Sequence, residues 1–506
     1  MGKKDITSIR GTIEFLREQG ELLVIDKEVD PILEIAGIQK ALEGGLPILF
    51  ENVKGYPGIR DVGNLIAREE TAAKIFDVAD HRKFKFKCHQ ALKNPLPPSV
   101  VKDAPCHEVI ITDDIDVPAT LPIIKHSEHD IGRILGSANI LLSGEYFDNG
   151  SELVFKRMHF RGKDWSSVFV AAGTLLARAL QKFKGEKVPV TINIGTPPAV
   201  LLMAGGGGIY PILSYGADKL AIAGGIQGSP VDVVKAKTVD AYAVANSEWV
   251  IEGYIDTAER VWESEEAEKT GKSMEVPFFP EWPGYLGRCY RANKFQATAI
   301  THRKDPIFYT PLAQSFEGSI LGTIIKEAAI YEFCERIAPG LVTDVHILPG
   351  VAAWAHVLLQ VRKRGRGDEG VQRALITGIL GSIFGMKLVV VVDDDVDIYS
   401  ADDVIWAITT RTNAESGIII GGGGPMMGMM PGERVRPSGE QVEISFLLQG
   451  GIGIDATLPF AAKWRFERAD YPSDKIDLSK WLSPGDIARV RAVQTDYAKL
   501  LARTGH

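Results

Sequence analysis

Residues 274–285 read Met-Glu-Val-Pro-Phe-Phe-Pro-Glu-Trp-Pro-Gly-Tyr, so Glu275 and Glu281 stand among three prolines, two phenylalanines, a tryptophan and a tyrosine. A rigid apolar wall disfavours the charged form of a carboxyl group and raises its pKa. That is how a glutamate becomes a proton donor near neutral pH. The same composition also suits a proline-rich surface loop with solvated acids. Upstream lies Glu152-Leu153-Val154-Phe155-Lys156-Arg157-Met158-His159. On a strand, alternate side chains share a face, which puts Glu152, Val154 and Lys156 on one side and Phe155, Arg157 and His159 on the other. Arg157 and His159 together can hold a carboxylate, the guanidinium through its planar two-pronged fork. An exposed basic strand is the plain alternative. Asp393-Asp394-Asp395-Val396-Asp397 follows the apolar run Leu388 to Val392; acids there bind a metal or polar substrate, or form a solvated turn. The glycines 205–208 lack both a GxGxxG and a GK[ST] pattern, so they read as a mobile loop at least as readily as a phosphate cradle.

The elements that must carry these residues change texture along the chain. Thr7 or Ser8 can cap a first helix with Ile9, Ile13 and Leu16 on one face and Gly20 at its end. A strand at Leu22 to Ile25 and a further apolar run at Pro47 to Phe50 complete an α/β module, residues 1–105. From 106 to 320, short β-type runs alternate with glycine and proline: 108–112, 151–160, 188–195 and 297–301, with a helix inserted at 173–183. This predicts a mainly β domain, a barrel with inserted helices. From 321 to 506 the rhythm is again α/β: a helix near 325–337, a strand at 341–347, a helix around 370–380, a strand at 388–392, and a helix capped by Ser400 with Asp402 and Asp403 in its first turn. Such alternation predicts a largely parallel sheet. A flexible Gly/Met loop at 421–430 and a helical tail from Ser483 follow.

A chain of 506 residues, 45% hydrophobic, is too long for one core. Its net charge of −8 argues against a nucleic-acid partner, and no run reaches the length of a membrane span. The four cysteines form no CxxC pair and read as buried free thiols. The expected address is the cytosol.

Taken together and in order, these segments resemble the UbiD family of reversible decarboxylases. Asp130-Ile131-Gly132-Arg133 precedes Arg157-Met158. Val188-Pro189-Val190 runs to Ile194-Gly195-Thr196-Pro197-Pro198, then come Ala223 to Val234 and Ser247-Glu248-Trp249-Val250-Ile251-Glu252-Gly253. The acidic stretch 275–285, Ile300 to Ile307 and the block 390–411 finish the match. The resemblance implies an α/β multidomain subunit: an N-terminal α/β domain, a central split β-barrel of the flavin-reductase type, and a C-terminal α/β domain with a tail helix that joins subunits into a homodimer or homohexamer. It implies prenylated FMN, supplied by a separate flavin prenyltransferase, with a divalent metal (Mn2+, Mg2+ or Fe2+) and K+ at the cofactor phosphate.

The implied catalytic trio is Arg157, Glu275 and Glu281. Met158, Ser214, Pro230 and Lys387 would touch the cofactor, and Glu152 and Asp232 would bind the metal. The substrate would be a small aromatic or α,β-unsaturated acid, or a CoA thioester such as phthaloyl-CoA, exchanging CO2. A plain FMN oxidoreductase on a split barrel and a non-catalytic carboxylase subunit are the alternatives. The chain departs from the family pattern at the metal. Glu152 stands where the family has Asn, Thr174 or Leu175 where it has His, and the shorter Asp232 where it has Glu. The acidic stretch also carries one extra residue between Glu275 and Glu281.

Overall fold

The computed structural model describes residues 4–171, 174–206, 213, 216–350, 353–425, 448–469 and 471–502. Contacts divide them into two units, one of the described residues within 4–329 and 349–354, the other of those within 330–348, 355–425 and 448–502.

In the first unit the Ser8 hydroxyl accepts the Gly11 amide, and helix α1 (Ile9–Glu18) buries Ile9, Ile13 and Leu16. Strands β1 (Leu23–Val29), β2 (Ile48–Val53) and β3 (Arg60–Gly63) form a small mixed sheet. The centre is a closed antiparallel barrel of six strands. Its members are β4 (Leu135–Ser143), β5 (Ser151–Phe160), β6 (Trp165–Val168), β7 (Lys187–Ile194), β8 (Trp249–Trp262) and β11 (Arg291–His302). Their order is β8-β7-β4-β5-β6-β11, and β11 pairs back with β8 from Trp249–His302 to Trp262–Arg291. Closure leaves no edge unpaired. Val190, Ile192, Ile194, Ile251, Ile255, Phe295 and Met158 are buried in one apolar cluster. Between β8 and β11 the chain makes an excursion containing a short hairpin, β9 (Pro277–Pro280) and β10 (Leu286–Arg288). After β11, strand β12 (Ile307–Tyr309) returns to pair with β3.

Helix α2 (Lys219–Gln227) is capped by Asp218, whose carboxylate accepts the Ala221 amide. It is stapled to the start of β5: the Leu220 amide donates to Ser151 Oγ at 2.8 Å, and that hydroxyl donates to Asp218. Helix α3 (Phe316–Ile337) begins nine residues before the expected start, because Ser315 Oγ takes the Gly318 amide and opens the first turn there.

The second unit has a five-stranded sheet of β13 (Val342–His346), β14 (His356–Val361), β15 (Leu388–Asp393), β16 (Ile418–Pro425) and β17 (Leu448–Ala456), ordered β13-β14-β15-β17-β16. The central three are parallel, and both edges are antiparallel. The strand β16 extends through Gly421–Pro425, the first half of the expected Gly/Met loop; 426–430 lie outside the described residues. Helix α4 (Val371–Ser382) packs on this sheet, and helix α5 (Ala401–Arg411) has Ser400 as its cap, as its sequence predicts. All four cysteines are free and buried. No described helix is long and apolar enough to cross a membrane.

Candidate active site

Strand β5 fixes Arg157 inside the first unit, where the guanidinium is almost wholly buried. Nη1 donates to Glu281 Oε1 at 2.5 Å, and Nη2 donates to Glu263 Oε2 at 3.0 Å and to the Arg288 carbonyl at 2.8 Å. Its carbon centre lies 4.2 Å from the Phe278 ring centroid, 5.4 Å from Phe169 and 5.7 Å from Tyr290. One cation thus sits between two carboxylates inside an aromatic box. Burial opposes its charge, but Glu263 and Glu281 prevail and raise the pKa of Arg157 above its ordinary value. Among the described residues, Arg157 Nε and Glu263 Oε1 are buried without a hydrogen-bond partner.

The hairpin β9–β10 delivers Glu281. The Glu281 amide donates to the Tyr285 carbonyl and the Gly284 amide to the Glu281 carbonyl, both at 2.9 Å. The turn passes through Gly284 at φ +87°, a conformation glycine adopts without penalty. Gly287 then runs so close that a Cβ there would lie 2.6 Å from Glu281 Cγ and 2.8 Å from Arg157 Nη1. The prolines and phenylalanines of 277–280 are thus a strand backing a buried carboxylate. Glu281 is thus buried rather than solvated, and the partner its carboxylate meets is Arg157.

Glu275 is elsewhere. It precedes β9, is largely solvent-exposed, and its carboxylate lies 3.3 Å from Lys272 Nζ. The second carboxylate at Arg157 is Glu263, directly after β8. Tyr290 N donates to Glu263 Oε2 at 2.7 Å, and His159 Nδ1 donates to the Glu263 carbonyl at 2.7 Å. Arg157 and His159 thus meet the same residue, but only Arg157 holds its carboxylate; His159 bonds its backbone carbonyl. Burial pushes Glu263 up to about 7, against the pull of Arg157. Nothing in the local sequence marks Glu263, which is followed by Ser264-Glu265-Glu266, an ordinary capped acidic helix start.

The other expected site residues are dispersed. Met158 is buried in the barrel core. Pro230 and Asp232 line a separate cavity with Thr7, Ser99, Gln227 and Asn246. Ser214 lies outside the described residues. Lys387 belongs to the second unit, where its Nζ donates to the Gly450 carbonyl at 2.7 Å. Within that unit the Asp393–Asp395 run is ion-paired: Arg411 meets Asp393 and Asp395, and Lys463 donates to Asp394.

Glu152 does not present an open metal ligand. Lys219, the first residue of α2, places Nζ 3.0 Å from each carboxylate oxygen and 3.0 Å from the Leu153 carbonyl, and both side chains are fully buried. A divalent ion bound about 2 Å from a Glu152 oxygen would lie no farther than about 5 Å from that ammonium. The repulsion is at least about 6 kcal/mol at an effective dielectric near 20. Thr174 caps the helix Leu175–Lys182, accepting the Ala177 amide, and Leu175 is core. These donors do not fit a divalent cation as they stand.

The UbiD model described as the 3-octaprenyl-4-hydroxybenzoate carboxy-lyase Rift-related domain matches residues 99–315, and the corresponding N-terminal and C-terminal domain models match 13–86 and 319–456. The chain belongs to the UbiD family and is a carboxy-lyase of that class. Among individual proteins it is 32% identical over 468 residues to a gallate decarboxylase of Lactiplantibacillus plantarum, covering 88% of this chain and 93% of that one. An evolved dimeric form of the UbiD-class enzyme HmfF from Pelotomaculum thermopropionicum, solved with prFMN, superposes with a TM-score of 0.78 at 29% identity, over 94% of this chain and all of that one. Apo 3,4-dihydroxybenzoic acid decarboxylase from Klebsiella pneumoniae gives a TM-score of 0.81 at 28% identity, over 95% and 99% of the two chains.

Proposed function

We propose that the protein is a prenylated-FMN-dependent, non-oxidative decarboxylase, reversibly a carboxylase, of an aromatic or α,β-unsaturated acid. The observation that carries this reading is the buried Arg157 held between Glu281 and Glu263, with Nε left free of any protein acceptor. Hydride transfer has no need of such a constellation. The prenylated flavin, when bound, supplies the electron sink that loss of CO2 from an sp2 carbon requires.

Arg157 orients the substrate carboxylate through Nε and its face. As the carbon–carboxylate bond breaks, its electron pair stays on the ring or alkene carbon, and Glu281 delivers a proton there. Glu263 fixes the guanidinium and performs the role the resemblance gives to Glu275. Phe169, Phe278 and Tyr290 exclude water, which strengthens each of these interactions. Met158, Pro230, Lys387 and Ser214 are assigned to the cofactor by the resemblance. A cavity beside Trp282, lined also by Trp354, Phe316 and Ser319, supports a flat ring acid or the thioester of one. Trp282 and Trp354 stack at 5.8 Å. The subunit would act as a homo-oligomer and take its cofactor from a flavin prenyltransferase.

The test is co-expression with a flavin prenyltransferase, followed by CO2 release from a panel of hydroxylated benzoic, furoic, cinnamic and phthalic acids and their CoA thioesters. Turnover that disappears in Glu281→Gln supports the reading. Turnover unchanged in that variant removes Glu281 as donor, and NAD(P)H oxidation without CO2 release replaces the decarboxylase with an oxidoreductase.

A further inference from the structure

The buried pair Glu152–Lys219 lies five residues upstream of Arg157 on the same strand, where the resemblance expects a divalent cation. We propose that Lys219 is that cation: its ammonium is a built-in counter-charge to Glu152, and the protein holds its flavin without a divalent metal. This rests on the flavin reading above.

Three observations converge on it. First, Lys219 donates at 3.0 Å to Glu152 Oε1 and to the Leu153 carbonyl, and its charge lies 3.0 Å from Glu152 Oε2, which accepts no hydrogen bond among the described residues. A buried lysine so satisfied has no reason to yield its partner to a metal. Second, the pair is locked from both sides. Asp218 and Leu220, the neighbours of Lys219, are tied to Ser151, the neighbour of Glu152. The helix start and the strand start therefore cannot separate to admit an ion without losing both Ser151 hydrogen bonds. Third, the remaining ligands are missing. The imidazole position is a helix-cap threonine or a core leucine, and Asp232 lines a separate cavity with Thr7 and Ser99. A hard divalent ion takes six or more oxygen ligands, several of them carboxylates. The described residues gather no such set at Glu152.

The substitution keeps the electrostatic logic of the site. An amide ligand is neutral and needs a metal to bring positive charge. A glutamate beside a lysine brings its own charge and forms a neutral pair. Lys156, on the same strand, feels both members: burial lowers it to about 8, while Glu152 holds it up. It adds a second cation to this end of the strand.

The experiment uses protein co-expressed with a flavin prenyltransferase. Metal content is measured by plasma mass spectrometry, and flavin retention by absorbance, before and after exhaustive EDTA treatment. FMN titration of the stripped protein with and without Mn2+ follows. The inference expects no stoichiometric Mn, Mg or Fe, flavin retained through EDTA, and an FMN affinity that Mn2+ changes by less than about twofold. Lys219→Glu converts the ion pair into two facing carboxylates, so its FMN binding is expected to fall in EDTA and to recover by about tenfold or more with Mn2+. Lys219→Met with Glu152→Gln removes both charges together, and is expected to fold, to bind FMN more weakly than the wild type, and to show no response to Mn2+. One equivalent of divalent metal in the wild type, lost on chelation together with the flavin, overturns the inference whatever the variants do. Protein that binds no flavin under any condition instead refutes the proposed function. In that case the flavin part of the inference falls with it, and an equivalent of bound metal in the same protein would separately contradict Lys219 as the metal's replacement.

Discussion

Gly287→Ala is the most economical test of the arrangement around Arg157, because it adds one methyl and removes no chemical group. The new Cβ would lie 2.6 Å from Glu281 Cγ and 2.9 Å from Glu281 Oε1, with Arg157 Nη1 at 2.8 Å. Ordinary contact begins near 3.4 Å, so Glu281 must retreat by about 0.8 Å, and the 2.5 Å bond to Arg157 cannot survive that shift. Overpacking of this kind costs about 1–3 kcal/mol of stability, which a protein of this size tolerates. A displacement of about 1 Å at a reacting group costs about a hundredfold in rate. The expectation is a folded, flavin-binding protein whose kcat/KM for CO2 release falls by about two orders of magnitude. Gly287→Ala with wild-type turnover and a cooperative melt would refute the claim that the Arg157–Glu281 contact must be tight.

Glu263 has its folded pKa raised to about 7, so the fold favours its protonated form. Its contribution to stability is full below the ordinary carboxyl range and is lost as pH rises through about 7. Glu263→Gln is expected to remove about 3 kcal/mol of that decline between pH 4.5 and 7, leaving the similar slope due to buried Glu317; urea midpoints across this range measure it, and an unaltered slope contradicts the assignment. Arg10→Ala deprives fully buried Glu248 of two 2.8 Å contacts, leaving Arg303 at 3.6 Å, and should cost about 2 kcal/mol in chemical denaturation. In the second unit, Arg411→Ala leaves Asp393 without its nearest cation and should cost about 3 kcal/mol. A loss under about 1 kcal/mol would mean that Lys463 suffices.

The surroundings of Glu281 were only half legible: the Pro-Phe-Phe-Pro run before it suits an apolar wall or a proline-rich surface loop, and it is the fold that buries this carboxylate against Arg157. Arg157 was legible from its strand. Glu263 was not. Its local pattern is that of a helix cap, and its contacts with Tyr290 and Arg157 form only when barrel closure brings them near. Lys219 shows the same limit, since a lysine after an aspartate at a helix start reads as surface until β5 is laid against it. Glu275 misled because counting from the family motif ignores where β9 begins. The first turns of helix α3 were hidden because glycines 318 and 322 lower its apparent propensity without ending it. The strand β8, 14 residues long, has an apolar start and a charged end, a composition that hides its length. The edges of the second sheet turn antiparallel because β13 and β16 each lie beside a chain-adjacent partner.

Glu263 and Tyr290 stand at the two feet of the excursion that bears the hairpin. The feet are clasped by the Glu263 amide donating to the Tyr290 carbonyl at 3.1 Å and by the Tyr290 amide donating back to the Glu263 side chain. Everything between them is a closed loop on a finished barrel. Lengthening such a loop costs only a fraction of a kcal/mol per added residue, and the barrel register is insulated from it. The additional residue between 275 and 281 is therefore absorbed in the span that carries Glu281, while Arg157 and Glu263 stay anchored to the barrel wall. A scaffold wired this way can exchange one acid for another by remodelling a single bight of chain.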